Sequence, residues 1–562
     1  MSGAHTDQGA SGCETGEVYR FPLSISIPAT IMEALRANCE RMRGLIVGGS
    51  VRDAVLGHEP KDVDLEVYGM NYEDLAAVLR QYGRMDFVGR KFGVIKFWDE
   101  SGNEVDISIP RRESKTGVGH KEFSTSFDPD MTAREAAARR DFTVNALAWD
   151  PLTEELHDYF GGMRDLDRGV LRATSPAFSE DPLRVLRGMQ FSARFGMRLE
   201  PQTAELCRSL RSEYCHLARE RVAEEWMKLA VKGKQPGRLW SYLGEAGWIE
   251  LYPPLARLVG VPQDLEWHPE GSVDVHTAHV LDAMACIADR EGAAGDDRAV
   301  LVFAALTHDL GKSFVKDGGT TEMREKAGRL RWTAHGHDEA GGPMARDFLE
   351  ALGLKASVID RVVPLVENHL QHVHLAAGKG ITSVAVRQLA DRLAPATVRE
   401  LALLIEADQS GRPPLLGGMP EHAQQMLELA KEQDIADGPP PRLVQGRDVL
   451  PYFAGRPGPH IGRAVNAAYA AFLKGTFTSQ QEAAIWLEYY VEKEARLVRG
   501  SDVLPYFDTP GPQVGKVLKA AWEAQLAGEF SDRPAAEEWL RRYLQAEHPH
   551  TRERRTPSGY NP

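Results

Sequence analysis

The sequence predicts an α+β chain, with a mixed α/β head followed by a long, mainly helical remainder. Three observations lead there. Between Phe21 and Pro110 short runs of alternating polarity are interleaved with segments of helical period. Beyond Arg134 the apolar residues recur mostly at helical spacing, with few strand signals. The end of the chain repeats itself. At 562 residues and 62.2 kDa the chain is too long for one hydrophobic core. At roughly 150 residues per domain it should hold three to five units.

The elements follow in order. The opening "MSGAHTDQGASGCETGEV" is small and polar with no apolar core, so it reads as a disordered leader and not a signal peptide. Ala29 to about Met42 is helical, "GLIVGG" is a buried strand, and "SVRDAVLG" starts a helix after the glycine turn. "KDVDLEVYG" is strand-like, and "NYEDLAAVLRQYG" is a helix with an Asn cap and a terminal Gly. "FGVIKFWD" and "NEVDISIP" alternate as paired strands. "REAAARRDFTVNALAWD", "EDPLRVLRGMQFSARFG" and "RERVAEEWMKLAVKG" are amphipathic helices. The segment "RRESKTGVGHKEFSTSFDPDM" reads as a flexible loop. Near the end, "RLVQGRDVLPYF" at Arg442 returns as "RLVRGSDVLPYF" at Arg496, and Trp486 returns as Trp539. Each copy reads as a turn, a Pro-Gly-Pro helix start and two helices, after the linker "DGPPPR".

Composition narrows the function classes. Apolar residues at 43% are ordinary for a soluble globular protein, and no run of about 18 apolar residues argues for a membrane span. Five scattered cysteines without CxxC spacing indicate neither a disulfide framework nor a zinc site and fit a reducing cytoplasm. A net charge of −14 gives no support to a general nucleic-acid binder, so any RNA contact must come from local basic surfaces such as Arg111-Arg112 and Arg139-Arg140.

The stretch "IVGGSVRDAVLGHEPKDVDLEVYG", Ile46 to Gly69, carries the first chemistry. Gly48 and Gly49, between a strand and a helix, let backbone N–H groups approach a phosphate, and Arg52 lies one turn in. In an extended strand residues i and i+2 share a face, so Asp62 and Asp64 should point together and want a cation such as Mg²⁺. Asp106 is the candidate third carboxylate, with Glu104 two residues earlier on the same face. "RRDFTVNA" adds Arg139, Arg140 and Asn145, and "EDPLRVLR" puts Asp181, Arg184 and Arg187 at three-residue spacing on a helix flank. A carboxylate beside a guanidinium can read the hydrogen-bonding edge of a base. Asp181 before Pro182 reads equally as a helix N-cap.

The motifs "GGSVRDAVLG…KDVDLEV", "RRDFTVNALAWDP", "DYFGGMRDLDRGVLRAT" and "EDPLRVLRGMQFSARFG" resemble, in order over Phe21 to Glu200, those of the bacterial and eukaryotic tRNA nucleotidyltransferases, the CCA-adding enzymes, and the related bacterial poly(A) polymerases. The resemblance implies a polymerase-β-like catalytic head, a helical neck, and a site that reads CTP and ATP with amino acids in place of a template. It implies metal binding by Asp62 and Asp64, nucleotide contacts by Gly49, Arg52, Arg140 and Asn145, and base recognition by Asp181 and Arg184 with Arg187 alongside. Where many relatives carry another arginine, this chain has Gln190.

A second constellation follows. His-Asp pairs occur at His157-Asp158, His308-Asp309 and His337-Asp338, and context separates them. His276 stands near a helix start, His308-Asp309 follow a buried apolar run, His337 opens another helix, and Asp408 lies in "LIEADQSGR". Imidazoles and carboxylates converging from several helices suit a divalent metal that generates hydroxide for phosphate-ester hydrolysis. This part is similar to the HD phosphohydrolase domain of many bacterial CCA-adding enzymes. That similarity implies His276, His308, Asp309, His337 and Asp408 as ligands of a second divalent metal, with His335 and His369 as further candidates.

The resemblance divides the chain into a leader (1–20), head (21–160), neck (161–262), HD domain (263–415) and a tail (416–562) with a tandem repeat (442–494 and 496–546). In the tail Gly446, Asp448, Gly458, Pro459 and Gly462, and again Gly500, Asp502, Gly511, Pro512 and Gly515, match an element that those enzymes carry once. The expected activity is addition of CCA to the 3′ end of tRNA from CTP and ATP, with pyrophosphate release. Addition of CC only, of A only, or of poly(A) are alternatives within the family. A phosphohydrolase with a non-transferring, RNA-binding head is the alternative from another class.

Overall fold

The structure is a computed structural model and describes residues 16–60, 62–88, 94–115, 123–326, 328–378, 380–453, 455–493, 495–507 and 509–547. The chain forms two compact units, Met1–His372 with Glu400–Gln424, and Val373–Arg399 with Gln425–Pro562.

The first unit begins with the head. Its strands are β1 (Glu17–Arg20), β2 (Arg43–Val47), β3 (Asp64–Tyr68), β4 (Arg84–Val88), β5 (Val94–Trp98), β6 (Glu104–Ser108), β7 (Arg111–Lys115), β8 (Phe123–Phe127), β9 (Leu147–Asp150) and β10 (Glu155–Asp158). Eight of them make one sheet in the order β1-β10-β9-β2-β3-β6-β5-β4. Its centre is built from apolar runs: Leu45, Ile46, Leu65, Ile95, Phe97 and Ile107 are each at most 1% exposed. Within this sheet β3 and β6 pair in parallel, in a register that sets Asp64 against Asp106, while β5 pairs antiparallel to β6 with Lys96 against Asp106. Helix Tyr72–Leu79 carries the expected cap, the Asn71 side chain accepting from Asp74 N.

The structure corrects several sequence expectations. Glu17–Arg20, placed in the leader, is an edge strand antiparallel to β10, so the sheet recruits residues whose polarity reads as disorder; residues 1–15 lie outside the described chain. "LAWD" is not helical: helix Ala133–Ala138 ends early, a single 3-10 turn covers Thr143–Asn145, and Leu147–Asp150 is a fully buried strand. A short apolar run looks the same for a buried strand and a buried helix. The expected flexible loop contains an antiparallel ribbon, β7 with β8, Arg111 facing Phe127; residues 116–122 between them lie outside the described chain.

The neck follows in the same unit. Helix Leu183–Phe195 ends on Gly196 in the left-handed conformation and packs beside helix Arg219–Lys232, with Trp226, Tyr242 and Trp248 at most 2% exposed between the neck helices. Gly188 stands mid-helix, where a Cβ would come within 2.0 Å of Tyr242 Oη, so glycine there makes room for the tyrosine. Helices Val273–Arg290, Gly295–Thr307, His337–Leu352, Ala356–Asn368 and Val398–Ser410 build the next bundle. A hairpin, Thr321–Lys326 with Arg329–Ala334, interrupts it and was not expected from the sequence.

The second unit contains the tandem repeat of the tail. Helices Pro459–Leu473 and Gln480–Lys493 form one copy, Pro512–Ala527 and Arg533–Glu547 the other. The two cores correspond position by position: Phe477, Ala483 and Leu487 in the first align with Phe530, Ala536 and Leu540 in the second. Asp448 Oδ2 accepts from Gln445 N at 2.8 Å and Asp502 Oδ2 from Arg499 N at 2.8 Å, so each copy fastens its entry turn in the same way.

Among the described residues Cys39, Cys207, Cys215 and Cys286 are free, and no helix is long and apolar enough to cross a membrane.

Candidate functional site

The head's cleft forms where β2 gives way to the short helix Gly49–Val55, beside the adjoining ends of β3 and β6. Gly48 takes φ +77°, a left-handed conformation that favours glycine, and a Cβ there would come within 2.8 Å of an Arg140 guanidinium nitrogen. Asp64 opens β3 and Asp62 precedes it in an exposed bend, with Val63 buried between the two exposed carboxylates. The register of β3 and β6 supplies what strand alternation does not, since it brings Asp106 beside Asp64. Desolvation and the charges of Asp106, Asp62 and Glu66 push the Asp64 pKa up, against the pull of Arg140. Lys96 Nζ lies 3.3 Å from Asp106 Oδ1, and Arg140 lies 3.6 Å from Glu66.

Behind the cleft runs a chain of ions that sequence alone did not reveal. Arg52 is 4% exposed; it donates to Asp53 at 2.7 Å and to Asn145 Oδ1 at 2.5 Å, and it stacks 4.6 Å from the Phe195 ring centroid. Arg194 meets the other oxygen of Asp53 at 3.0 Å. Asn145 donates to Asp141 Oδ1 at 2.8 Å, and Arg187 Nε donates to Asp141 Oδ2 at 2.7 Å. Burial pushes the Asp141 pKa up, but the Arg187 charge and the hydrogen bonds from Asn145 and Arg187 outweigh it and hold it below the ordinary value. Arg52, Asn145 and Arg187 therefore belong to one network, with Asp53, Asp141 and Arg194 as its missing members.

The expected Asp181–Arg184 pair is not a mutual one. Arg184 donates to the carbonyls of Ala177 and Arg139, both at 2.6 Å. Asp181 caps helix Leu183–Phe195 by accepting from Leu183 N at 3.0 Å, and it accepts from Arg221 at 2.8 Å. Arg221, one helix away, was not legible from spacing. Gln190 is 3% exposed, inside the neck.

The second cluster lies in the helical bundle of the same unit. His276 Nε2 is 3.1 Å from Asp408 Oδ1 and 3.8 Å from Asp309 Oδ2; His308 Nε2 is 3.2 Å from Asp309 Oδ2, and His337 Nε2 is 3.3 Å from Asp309 Oδ1. His369 joins them, its Nε2 being 3.1 Å from that of His337, whereas His335 is exposed outside the cluster. His308, His337 and His369 each place Nδ1 against the carbonyl three residues back, at 2.8, 2.7 and 2.7 Å. With Nδ1 as donor, each Nε2 presents a lone pair inward. Lone pairs of His337 and His369 only 3.1 Å apart call for a shared proton or a cation.

Burial pushes the His337 pKa down, to about 3, with the Lys312 charge adding to the effect. His276 goes the other way: burial lowers it, but hydrogen bonds to Asp408 and Glu270 raise it to about 9. Lys312 Nζ sits 2.8 Å from Asp309 Oδ2. His308 Nε2 and Asp309 Oδ1 are buried without a hydrogen-bond partner. Among the described residues, His276, His308 and Asp408 form one group of donors within 4.8 Å of one another, and Asp309, His337 and His369 form another. Such a donor set fits a divalent metal. Glu270 and His268, close to these residues, were missed because a loop residue's approach is not written in helical period; Lys312, three residues after Asp309 in the turn Leu310–Lys312, was missed although its spacing was local.

Residues 45–172 match the family described as the poly A polymerase head domain, and residues 273–396 match the HD domain. Domains of both kinds generally use divalent metals. A multifunctional CCA protein of Xanthomonas campestris pv. campestris is 34% identical over 438 residues, 76% of this chain and 98% of its own. One of Nitrosococcus oceani is 34% identical over 376 residues, 66% of this chain and 85% of its own. In fold, the chain is similar to the Bacillus stearothermophilus CCA-adding enzyme solved with CTP, with a TM-score of 0.53 at 20% identity over 83% of this chain and 98% of that one. The chain belongs to the family of the multifunctional CCA proteins.

Proposed function

We propose that the chain adds C, C and A in turn to the 3′ end of tRNA, taking CTP and ATP and releasing pyrophosphate, in the cytoplasm. The observation that carries this is the set of Asp62, Asp64 and Asp106 gathered at the mouth of a glycine turn, within a chain whose full-length relatives are named CCA proteins. Asp62, Asp64 and Asp106 are the residues that would hold Mg²⁺. When bound, Mg²⁺ screens phosphate oxygens and makes the α-phosphorus easier to attack. Asp106 would also help activate the attacking terminal hydroxyl by accepting its proton.

The backbone at Gly48 and Gly49 and the Arg140 guanidinium receive the triphosphate, while Arg52 and Asn145, locked to Asp53 and Asp141, keep that wall rigid. Asp181 and Arg184 read the base, with Arg187 alongside. Arg184 has five N–H donors, of which two bonds to backbone carbonyls fix its plane, leaving an edge to offer a base. The head spans 21–160, the neck 161–262, the HD domain 263–415 and the repeated tail 416–562.

tRNA transcripts truncated at successive 3′ positions and offered CTP and ATP separately test this. CCA addition predicts C, C and A in order, whereas CC-only, A-only or poly(A) products each give a different ladder. Incorporation that survives the double substitution Asp62→Ala and Asp64→Ala overturns the head's assignment.

We also propose a metal-dependent phosphohydrolase activity in the HD domain, carried by His276, His308, Asp309, His337 and Asp408 with His369. Asp309→Ala should abolish bound transition metal and phosphodiester hydrolysis while leaving nucleotide addition intact. A variant that retains its metal refutes this second reading.

A further inference from the structure

Glu270 stands behind the HD cluster in a loop, its side chain 1% exposed. One oxygen, Oε1, receives two imidazoles, His268 Nδ1 at 2.9 Å and His276 Nδ1 at 2.8 Å. The other oxygen, Oε2, is buried without a hydrogen-bond partner. The rings of His268 and His276 meet edge to face, 4.7 Å between centroids. His276 also has a carbonyl near the same nitrogen, Gly411 O at 3.2 Å, so a neutral ring could be oriented without a buried carboxylate.

A buried carboxylate with one oxygen unsatisfied costs free energy unless positive charge compensates it. Only one nitrogen of a neutral imidazole carries hydrogen. His276 Nδ1 lies against both Glu270 Oε1 and Gly411 O, which turns its Nε2 toward Asp408 and Asp309, where a proton or a divalent cation must stand between nitrogen and carboxylates. We propose that Glu270 is a positioning residue for a divalent cation at the HD centre. It fixes the ring and tautomer of His276 and raises its basicity as a ligand, while His268, held by the same oxygen, braces the carboxylate. This rests on the HD reading given under Proposed function.

The test uses the full chain, stripped by chelator and titrated with Co²⁺ alone, followed by calorimetry and visible absorption. The difference between wild type and Asp309→Ala isolates the HD centre from the head. Glu270→Gln should weaken Co²⁺ binding about 10- to 100-fold and shift the visible band. Glu270→Asp should recover part of that affinity, and nucleotide addition by the head should not change. Wild-type affinity and an unshifted band in Glu270→Gln overturn the inference. Should Glu270→Gln fail to fold, as read from its thermal melt, His268→Asn replaces it; a shifted Co²⁺ band then supports the inference and an unshifted one overturns it. A wild type that binds no more Co²⁺ than Asp309→Ala refutes the HD metal centre itself, which is a distinguishable result.

Discussion

Asp141→Asn probes the ion network behind the head's cleft. The substitution preserves shape and keeps an oxygen for Phe142 N and Asn145 Nδ2, which both donate to Asp141 Oδ1 at 2.8 Å. It replaces the acceptor of Arg187 Nε, at 2.7 Å, with an amide that also donates. A hydrogen bond to a charged group contributes about 1.5–3 kcal/mol. The Arg187 side chain is 36% exposed, so solvent recovers part of that, and about 2 kcal/mol is the expected loss. The chain has several domains and need not unfold in one step, so the measurement is native-state hydrogen exchange on peptides covering 139–150 and 183–195.

At neutral pH these peptides should exchange about 30-fold faster in the variant. The pH dependence supplies a second check. The folded pKa of Asp141 is depressed, so its contribution is present in full above the unfolded value of about 3.9 and is lost as pH falls through the folded value. The gap between wild type and variant should therefore hold from pH 7 to about 5 and narrow below about 4. A gap under about threefold at neutral pH, or one that does not narrow in acid, refutes the reasoning.

Three further outcomes follow from single residues. Gly48→Ala forces a side chain into φ +77° against Arg140, at a cost of about 1–3 kcal/mol, and should lower kcat/KM for nucleotide addition at least tenfold; an unchanged value would dissociate the turn from catalysis. Gly188→Ala pushes a methyl group into Tyr242 Oη and should destabilise the neck by about 1–3 kcal/mol in spite of alanine's better helix propensity, read as a lowered melting temperature; a raised one would contradict the packing. Leu487→Ala and Leu540→Ala, 2% and 3% exposed at matching places in the two tail copies, should each cost about 2–5 kcal/mol by urea unfolding of the tail; a cost at one position alone would break the equivalence.

Local pattern carried much of the fold. Asn71 before its helix, the alternation in Val94–Trp98 and Glu104–Ser108, and the glycine after Phe195 each act within a few residues, where sequence and geometry coincide. Glu17–Arg20 and Leu147–Asp150 were misread because their state is set by partners far along the chain: β10 for the first, β2 and β10 for the second. The sites divide in the same way. Asp64 and Asp106, and the HD histidines with their aspartates, were legible as residue types. Arg221 on Asp181, Arg194 on Asp53 and Glu270 on two imidazoles were not, since each contact joins elements whose approach is decided by tertiary packing.

Because β3 and β6 run side by side in parallel with Asp64 opposite Asp106, chain length itself belongs to the cleft. Strand side chains alternate between faces, so one residue inserted or deleted within either strand would turn a carboxylate toward the opposite side while leaving every amino acid of the motif intact. A search for variants of this protein should therefore weigh single-residue indels in 64–68 or 104–108 as heavily as loss of an aspartate, whereas length changes in the turn at 99–103 should be tolerated.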